Sequence, residues 1–376
     1  MVNKHSLVKL LQQLIQINSE NPPGNETKIA LFVKRYLENL GLKARVYEFK
    51  KNRPNILAEF GSKKSGKSLL ITPHLDTVPA GIGWKMNPFS GKVIGGKIYG
   101  VGATDCKVNL AASLEVIKSL VAKKAGLDYN LIFAATVDEE SGSALGLIPL
   151  LNKGILKADA AVVLDADDFD IVVAQKGLMH LKVKIKGKRA HGAYPDRGVN
   201  AIDITAKIIN DLKHQKQEFL RNKHLKPPTI NVGVIRGGDK VNIVADWCDF
   251  ELDFRFLPQT SASELLKNLR LTIKKYTNKF RIEIDSIQQP YLIEEQHSLV
   301  RQMCLAMQVN KIPVRIKGSE GATVITFFQH QGIPAIATGF GEGGCAHSIN
   351  EYARVDNLYK GSLALEQFLK EWKWKV

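Results

Sequence analysis

The chain has 376 residues, 44% of them hydrophobic and 24% charged, so it is long enough for two packed cores and too apolar to be disordered. Its four cysteines lie far apart without a CxxC pair, which argues against a disulfide framework and against a thiolate zinc site. The formal charge of +16 is spread along the chain rather than gathered in one block, so we do not expect a nucleic-acid partner.

The N-terminal segment predicts helix rather than an export signal. Residues 5–42 have apolar positions at helical spacing and predict two helices joined by a turn at 21–24. The sequence also contains no apolar run of about 18 residues, the length that a membrane span needs. We therefore expect a cytoplasmic protein without a membrane partner.

Short apolar runs that end in polar or acidic residues predict the main sheet. They cover 69–72, 131–137 and 160–164, and a helical pattern over 110–121 lies between the first two. Continuous apolar strands that alternate with helices are typical of a mainly parallel sheet sandwiched by helices. The fold class is therefore α/β for this part of the chain.

The middle of the chain has a different pattern, in which apolar and charged residues alternate, as in sheets with one solvated face. It predicts strand 180–187, helix 199–213, strand 229–235, strand 249–256, helix 262–276 and strand 280–287. This β-α-β-β-α-β order is the split, ferredoxin-like unit. We therefore predict an inserted α+β domain at 179–289, within a larger domain formed by 1–178 and 290–376.

Three groups of residues with metal-binding or acid–base side chains lie at the ends of predicted strands or at the start of a predicted helix. His74 and Asp76 come directly after a strand and lie on one side of an extended chain, which suits either an imidazole ligand with an orienting carboxylate or a hydrogen-bonded surface pair. Asp105 follows a glycine-rich turn and opens a helix, where it is either a site residue or an N-cap. Glu139 and Glu140 follow another strand, at a functional site or in an exposed loop.

Asp165 and His347 likewise come just beyond buried strands, although each is also compatible with a structural role. The coincidence of these residues favours a site, because strand ends of one sheet converge and here supply two histidines and several carboxylates. Two divalent cations would be balanced by the carboxylates of Asp105, Glu140 and Asp165 together with one hydroxide. The sequence therefore predicts a two-metal centre.

Four motifs resemble those of the dizinc exopeptidase and deacylase family, which includes acetylornithine deacetylase, succinyl-diaminopimelate desuccinylase, aminoacylase and glutamate carboxypeptidase. They are His74-Leu75-Asp76, Gly102-Ala103-Thr104-Asp105-Cys106-Lys107, Thr136-Val137-Asp138-Glu139-Glu140-Ser141-Gly142 and Ala346-His347-Ser348-Ile349-Asn350-Glu351. The resemblance covers nearly the whole chain and implies a zinc-exopeptidase-like catalytic domain with an inserted lid and dimerisation domain.

The resemblance implies a role for each site residue. Asp105 would bridge two metal ions, His74 and Asp165 would complete one site, and Glu140 and His347 would complete the other. Zinc is the expected metal for histidine and carboxylate ligands, and cobalt or manganese can occupy the same ligands.

Catalytic roles also follow from the resemblance. Glu139 would be the general base for a metal-bridging hydroxide, and Asp76 would orient His74. His191 resembles the family histidine that reaches across a homodimer to stabilise the oxyanion. Asn242 and Arg255 match substrate-binding positions, although Arg255 also suits a pair with the acids on its own strand.

Several positions depart from the family pattern and limit what the resemblance says about substrate. Asp165 stands where many members have glutamate, Val108 replaces a frequent glycine, and Val324 stands where many relatives have an acid. Residues 175–178 lack the arginine and serine of a true succinyl-diaminopimelate desuccinylase.

We therefore expect an amidohydrolase that cleaves N-acyl amino acids or short peptides with a free carboxylate. A metallo-carboxypeptidase or dipeptidase of the same family is the alternative. A catalytically silent binding protein ranks below both, because Glu139 and all five implied ligands are present.

Overall fold

The structure is a computed structural model that describes residues 1–215, 219–321 and 323–374. The chain divides into two compact units. The first comprises Met1–Val173, Ile293–Lys317 and Phe327–Val376, and the second comprises Ala174–Leu292 and Gly318–Thr326.

The strands and helices of the described residues are numbered in chain order. The strands are β1 (Ala44–Glu48), β2 (Pro54–Gly61), β3 (Ser68–Thr72), β4 (Lys92–Ile94), β5 (Lys97–Tyr99), β6 (Asn130–Ala135), β7 (Ala160–Leu164), β8 (Ile171–Gln175), β9 (Gly177–Lys186), β10 (Thr229–Gly237), β11 (Trp247–Phe256), β12 (Phe280–Gln288), β13 (Tyr291–Leu292), β14 (Ile316–Ser319), β15 (Ala335–Thr338) and β16 (Tyr352–Arg354). The helices are α1 (Lys4–Ile15), α2 (Thr27–Asn39), α3 (Lys107–Ala122), α4 (Leu147–Asn152), α5 (Ala201–His214), α6 (Ala262–Lys274), α7 (Ser298–Val309), α8 (Ile325–His330) and α9 (Val355–Glu371).

The main sheet of the first unit has its parallel pairs at the centre. β3 runs parallel to β6 and to β7, and β15 runs parallel to β7. Antiparallel pairs flank this centre, namely β1 with β2, β2 with β6, and β8 with β15. Every residue of β6 and β7 is buried, as expected for strands covered on both faces. The predicted α/β class is therefore confirmed, with antiparallel strands added at the edges.

Helices of the first unit bury apolar residues against this sheet and against one another. α3 is buried on nearly all sides and packs against α1 and α9. α1 begins after Asn3, whose side chain accepts a hydrogen bond from the Ser6 amide and so satisfies one free donor of the first turn. None of the described helices is long and apolar enough to cross a membrane.

The second unit contains an antiparallel sheet in the order β10-β11-β9-β12. In the chain, these strands and two helices follow one another as β9, α5, β10, β11, α6 and β12, the predicted β-α-β-β-α-β arrangement. Residues of β9 and β11 alternate between buried and half-buried, and their buried side chains form one core with α5 and α6. Alternation of period two thus predicted both the strands and the face that the helices cover.

Candidate metal centre

Five side chains that the sequence proposed as ligands come together in the first unit. His74 follows β3, Asp105 lies two residues before α3, Glu140 lies in a 3-10 turn after β6, Asp165 follows β7, and His347 lies in the loop between β15 and β16. The parallel strands β3, β6 and β7 end on the same side of the sheet, where doubly covered sheets place their ligand sites.

The first group is centred on His74. Its Nε2 atom lies 2.9 Å from Oδ1 of Asp105 and 3.6 Å from Oδ1 of Asp165. The thiol of Cys106 belongs to the same group, since one ligand atom from each of the four residues lies within 4.8 Å of the others. That separation is about twice a metal–ligand distance, so one cation can contact several of these atoms.

The second group consists of Asp105, Glu140 and His347. The Nε2 atom of His347 lies 3.2 Å from Oδ2 of Asp105 and 3.1 Å from Oε2 of Glu140. The two oxygens of Asp105 therefore face two different histidines, one from each group. Oε1 of Glu140 is buried without a hydrogen-bond partner among the described residues, which leaves its lone pairs available to a cation.

The electrostatics of both groups suit cations. Hydrogen bonds to Asp105 and Glu140 raise the pKa of His347 from 6.5 to about 10. Burial lowers the pKa of His74, but the interaction with Cys106 and the hydrogen bonds to Asp105 and Asp165 outweigh burial and hold this pKa well above 6.5. Metal ions binding the same atoms would release these protons. The donor set of two imidazoles, three carboxylates and one thiol thus fits divalent transition metals, zinc included.

Glu139 lies beside the two groups and belongs to neither of them among the described residues. Its pKa is well above 4.5, because it is buried and because the charge of Asp165 opposes its ionisation. Glu139 is therefore a buried carboxylate that lies beside both groups without being part of either of them.

The carboxylate of Asp76 does more than the sequence suggested. One oxygen lies 3.6 Å from Nδ1 of His74, while the nearer partner of that nitrogen is the Asp76 carbonyl oxygen at 3.0 Å. The carboxylate also accepts hydrogen bonds from the amides of Glu139 and Glu140, at 3.1 and 3.2 Å. Asp76 therefore positions both the histidine and the turn that carries the two glutamates.

Asp105 differs from one of its two sequence interpretations. The N-cap of α3 is Cys106, and no side chain makes a cap hydrogen bond there. The simple N-cap role for Asp105 is therefore wrong, since its oxygens face His74 and His347 instead.

A buried arginine lies behind the turn that carries Glu139. Arg53 forms an ion pair with Glu26 and another, of 3.0 Å, with Asp138, and all three side chains are at most 7% exposed. Asp138 also accepts a hydrogen bond from the Leu145 amide at 3.1 Å. No local pattern in the sequence predicts this network, because its members are separated by 27 and 85 positions.

The remaining candidate residues lie in the second unit. His191 is exposed and lines an open pocket of about 430 Å³ with Asn242 and Lys240, and the Gly192 amide donates to the Asn242 carbonyl at 2.8 Å. Arg255 makes two hydrogen bonds with Asp253, at 2.8 and 3.1 Å. The second unit thus brings His191 and Asn242 together, whereas Arg255 adopts the in-strand pair that the sequence also allowed.

Comparison with known proteins agrees with this site. Residues 70–371 match the family model of peptidase family M20/M25/M40. An uncharacterised metallohydrolase of Methanocaldococcus jannaschii is 30% identical over 96% of this chain and 98% of its own. Acetylornithine deacetylase of Aliivibrio salmonicida is 31% identical over 74% of this chain and 76% of its own.

A solved structure shows the same fold. A tripeptidase from Staphylococcus aureus superposes with a TM-score of 0.81 and 26% identity, covering 98% of each chain. The family match spans most of the sequence and includes the seven candidate site residues of the first unit, His74, Asp76, Asp105, Glu139, Glu140, Asp165 and His347. The chain therefore belongs to peptidase family M20/M25/M40 and is a metal-dependent hydrolase.

Proposed function

We propose that this protein is a dinuclear-metal amidohydrolase that cleaves N-acyl amino acids or short peptides with a free carboxylate. The observation that supports it most directly is the position of Asp105, whose two oxygens lie 2.9 and 3.2 Å from the imidazoles of His74 and His347. One carboxylate shared between two histidine-containing groups is the arrangement expected of a bridged pair of cations.

The proposed ligands divide into two sets that share Asp105. His74 and Asp165 complete one set, and Glu140 and His347 complete the other. Cations bound there would polarise the scissile carbonyl and make water a better nucleophile. These five residues would hold the cations, and Asp76 would keep His74 and the glutamate turn in place.

Glu139 is the proposed general base. Its carboxylate takes a proton from the attacking water and returns it to the leaving nitrogen, so that the amine departs neutral. Its buried position beside Asp165 and outside both ligand groups supports this role, since the base must reach the reacting atoms and must not itself coordinate a metal ion.

Residues of the inserted domain, 179–289, complete the proposal. His191 would donate a hydrogen bond to the oxyanion in a homodimer, and Asn242, which shares its pocket, would help bind the substrate. Arg255 is the proposed partner of the substrate carboxylate. Because its guanidinium binds Asp253, substrate would have to compete for it.

Two activities of one site remain as candidates. The acetylornithine deacetylase relative favours removal of an acyl group, and the tripeptidase structure favours cleavage of a short peptide. We place the deacylase first and a metallo-carboxypeptidase or dipeptidase second. We further propose zinc as the metal, since imidazole and carboxylate donors suit it. We propose the cytoplasm as the location.

The test is hydrolysis by the zinc-loaded protein of N-acetyl, N-succinyl and N-formyl amino acids beside di- and tripeptides. Metal content and the sedimentation coefficient are measured on the same sample. Release of an amino acid by a dimer with about two metals per chain supports the proposal and identifies the bond that is cleaved. A chain that binds no divalent metal, or that binds two and turns over none of these amides, overturns it.

A further inference from the structure

Glu351 is a buried carboxylate to which the proposed reaction gives no role. Its side chain is 2% exposed. One oxygen accepts hydrogen bonds from the amides of Thr104 and Asp105, at 2.6 and 3.0 Å, and the other accepts from the Gly102 amide at 3.1 Å. Three backbone donors therefore converge on a single side chain.

These donors belong to the loop that ends at Asp105, the proposed bridging ligand. Glu351 itself lies four residues after His347, in the segment that carries a ligand of the second group. Its side chain thus joins two ligand-bearing segments that are 246 positions apart in sequence.

Further hydrogen bonds join the same two segments. The Gly100 amide donates to the Glu351 carbonyl at 3.0 Å, and the hydroxyl of Thr104 donates to the Tyr352 carbonyl at 2.7 Å. The amide of Glu342, on the other side of His347, donates to the same hydroxyl at 3.2 Å. The connection is therefore an extended one, and the Glu351 carboxylate supplies the largest number of its contacts.

We propose that Glu351 is a positioning residue that sets the distance between Asp105 and His347. This inference rests on the proposed two-metal function. Only the second ligand group, Asp105 with Glu140 and His347, takes ligands from both connected segments. Binding of a cation by that group therefore depends on Glu351 more than binding by His74 and Asp165 does.

The chemistry of the contacts explains why a carboxylate is needed. Both oxygens of Glu351 face amide donors, and each of them acts as an acceptor, which the two oxygens of a carboxylate can do. In Glu351→Gln one oxygen is replaced by an NH₂ group, which would point a donor at a backbone N–H. At least one buried amide of the Asp105 loop would lose its partner, although the side chain keeps its length and shape.

The experiment compares metal binding by four single variants and the full-length wild-type chain. Glu351→Gln tests the proposal, while His347→Ala and His74→Ala remove a ligand from the second and the first group. Glu366→Gln is the matched control, because Glu366 is also a buried, hydrogen-bonded glutamate of the first unit, at 4% exposure, and contacts Ser119 and Lys123 instead. Each metal-free protein is titrated with zinc by calorimetry and with cobalt by visible absorption.

We expect Glu351→Gln to resemble His347→Ala. One of its two cations should bind about 10- to 100-fold more weakly than in the wild type, as for other residues that hold a metal ligand in place. Excess zinc should restore its turnover, which a damaged fold would not allow. Glu366→Gln should bind both cations normally.

Other results overturn the inference. Wild-type affinities in Glu351→Gln would show that the carboxylate does not position the ligands, and equal weakening of both cations would show a general structural role. If the wild type itself binds no second cation, the proposed function fails first. Should Glu351→Gln not fold, Thr104→Val removes the side-chain bond to the Tyr352 carbonyl, and unchanged binding of both cations by that variant contradicts the connection.

Discussion

Removal of the buried Arg53 cation should destabilise the first unit strongly. Its guanidinium is 5% exposed and pairs with Glu26, which is fully buried, and with Asp138. Burial raises the pKa of Glu26, and the hydrogen bond from Arg53 opposes that rise. In Arg53→Met the shape is roughly kept, but both carboxylates lose their cation.

The size of the effect follows from this burial. Loss of one partner of a buried ion pair costs about 3–5 kcal/mol, because the remaining charge is left uncompensated. Arg53 serves two carboxylates, so we expect the upper part of that range, a large fraction of a typical total stability of about 5–15 kcal/mol. Arg45→Met is the control, since Arg45 is 52% exposed in its pair with Glu59 and should cost at most about 1 kcal/mol.

Urea denaturation followed by circular dichroism measures both changes. The double variant Glu26→Gln/Arg53→Met removes one of the two carboxylate charges that Arg53→Met leaves behind, that of Glu26. It should recover about 1–3 kcal/mol relative to additivity, the usual range for contacting residues. A loss below about 1 kcal/mol in Arg53→Met, or strict additivity in the double variant, would refute the account of this network.

Three further outcomes are expected. Glu139→Gln should lower turnover by about 100- to 10,000-fold and keep about two metals per chain, whereas loss of metal would make Glu139 a ligand. Zinc at about 100 times its dissociation constant should stabilise the metal-free protein by about 2.7 kcal/mol for each site that it fills, and an unchanged melting temperature would contradict a folded-state site. Burial raises the pKa of Glu366, but hydrogen bonds from Lys123, Ser119 and Lys370 outweigh it and lower the pKa from 4.5 to about 2. Its contribution to stability is therefore present above pH 4.5 and lost as the pH falls towards 2, so Glu366→Gln should flatten the acid unfolding curve in that window.

Local patterns predicted the elements that place the site. The apolar runs over 69–72 and 160–164 match β3 and β7, and the polar residues that follow them, His74 and Asp165, meet in the first ligand group. This succeeded because strand burial is encoded in contiguous residues, and because parallel strands end on one side of a sheet. β1 and β2, which form the antiparallel flank, have a weaker pattern of apolar residues, and that pattern does not predict either strand.

Partners of buried charged groups could not be predicted in the same way. Arg53 lies in a polar, lysine-rich stretch of sequence, yet it is 4% exposed in the structure. Glu351 follows the His347 motif, but nothing in that motif says that its carboxylate faces the Asp105 loop. Such contacts depend on which loops the completed fold brings together, and no periodicity records that.

Asp76, Asp138 and Glu351 have one feature in common that explains why this site gathers buried acids. Each accepts hydrogen bonds from backbone amides of segments that carry or adjoin proposed ligands or the proposed base, at distances between 2.6 and 3.2 Å. The loops that carry the ligands lie outside the sheet, so their amides have no backbone hydrogen bonds to a neighbouring strand. Carboxylates accept the hydrogen bonds of these amides instead, but each carboxylate adds negative charge to a buried region. Cations must offset that charge, which is why Arg53 is buried behind the turn and why the ligand groups are suited to metal ions.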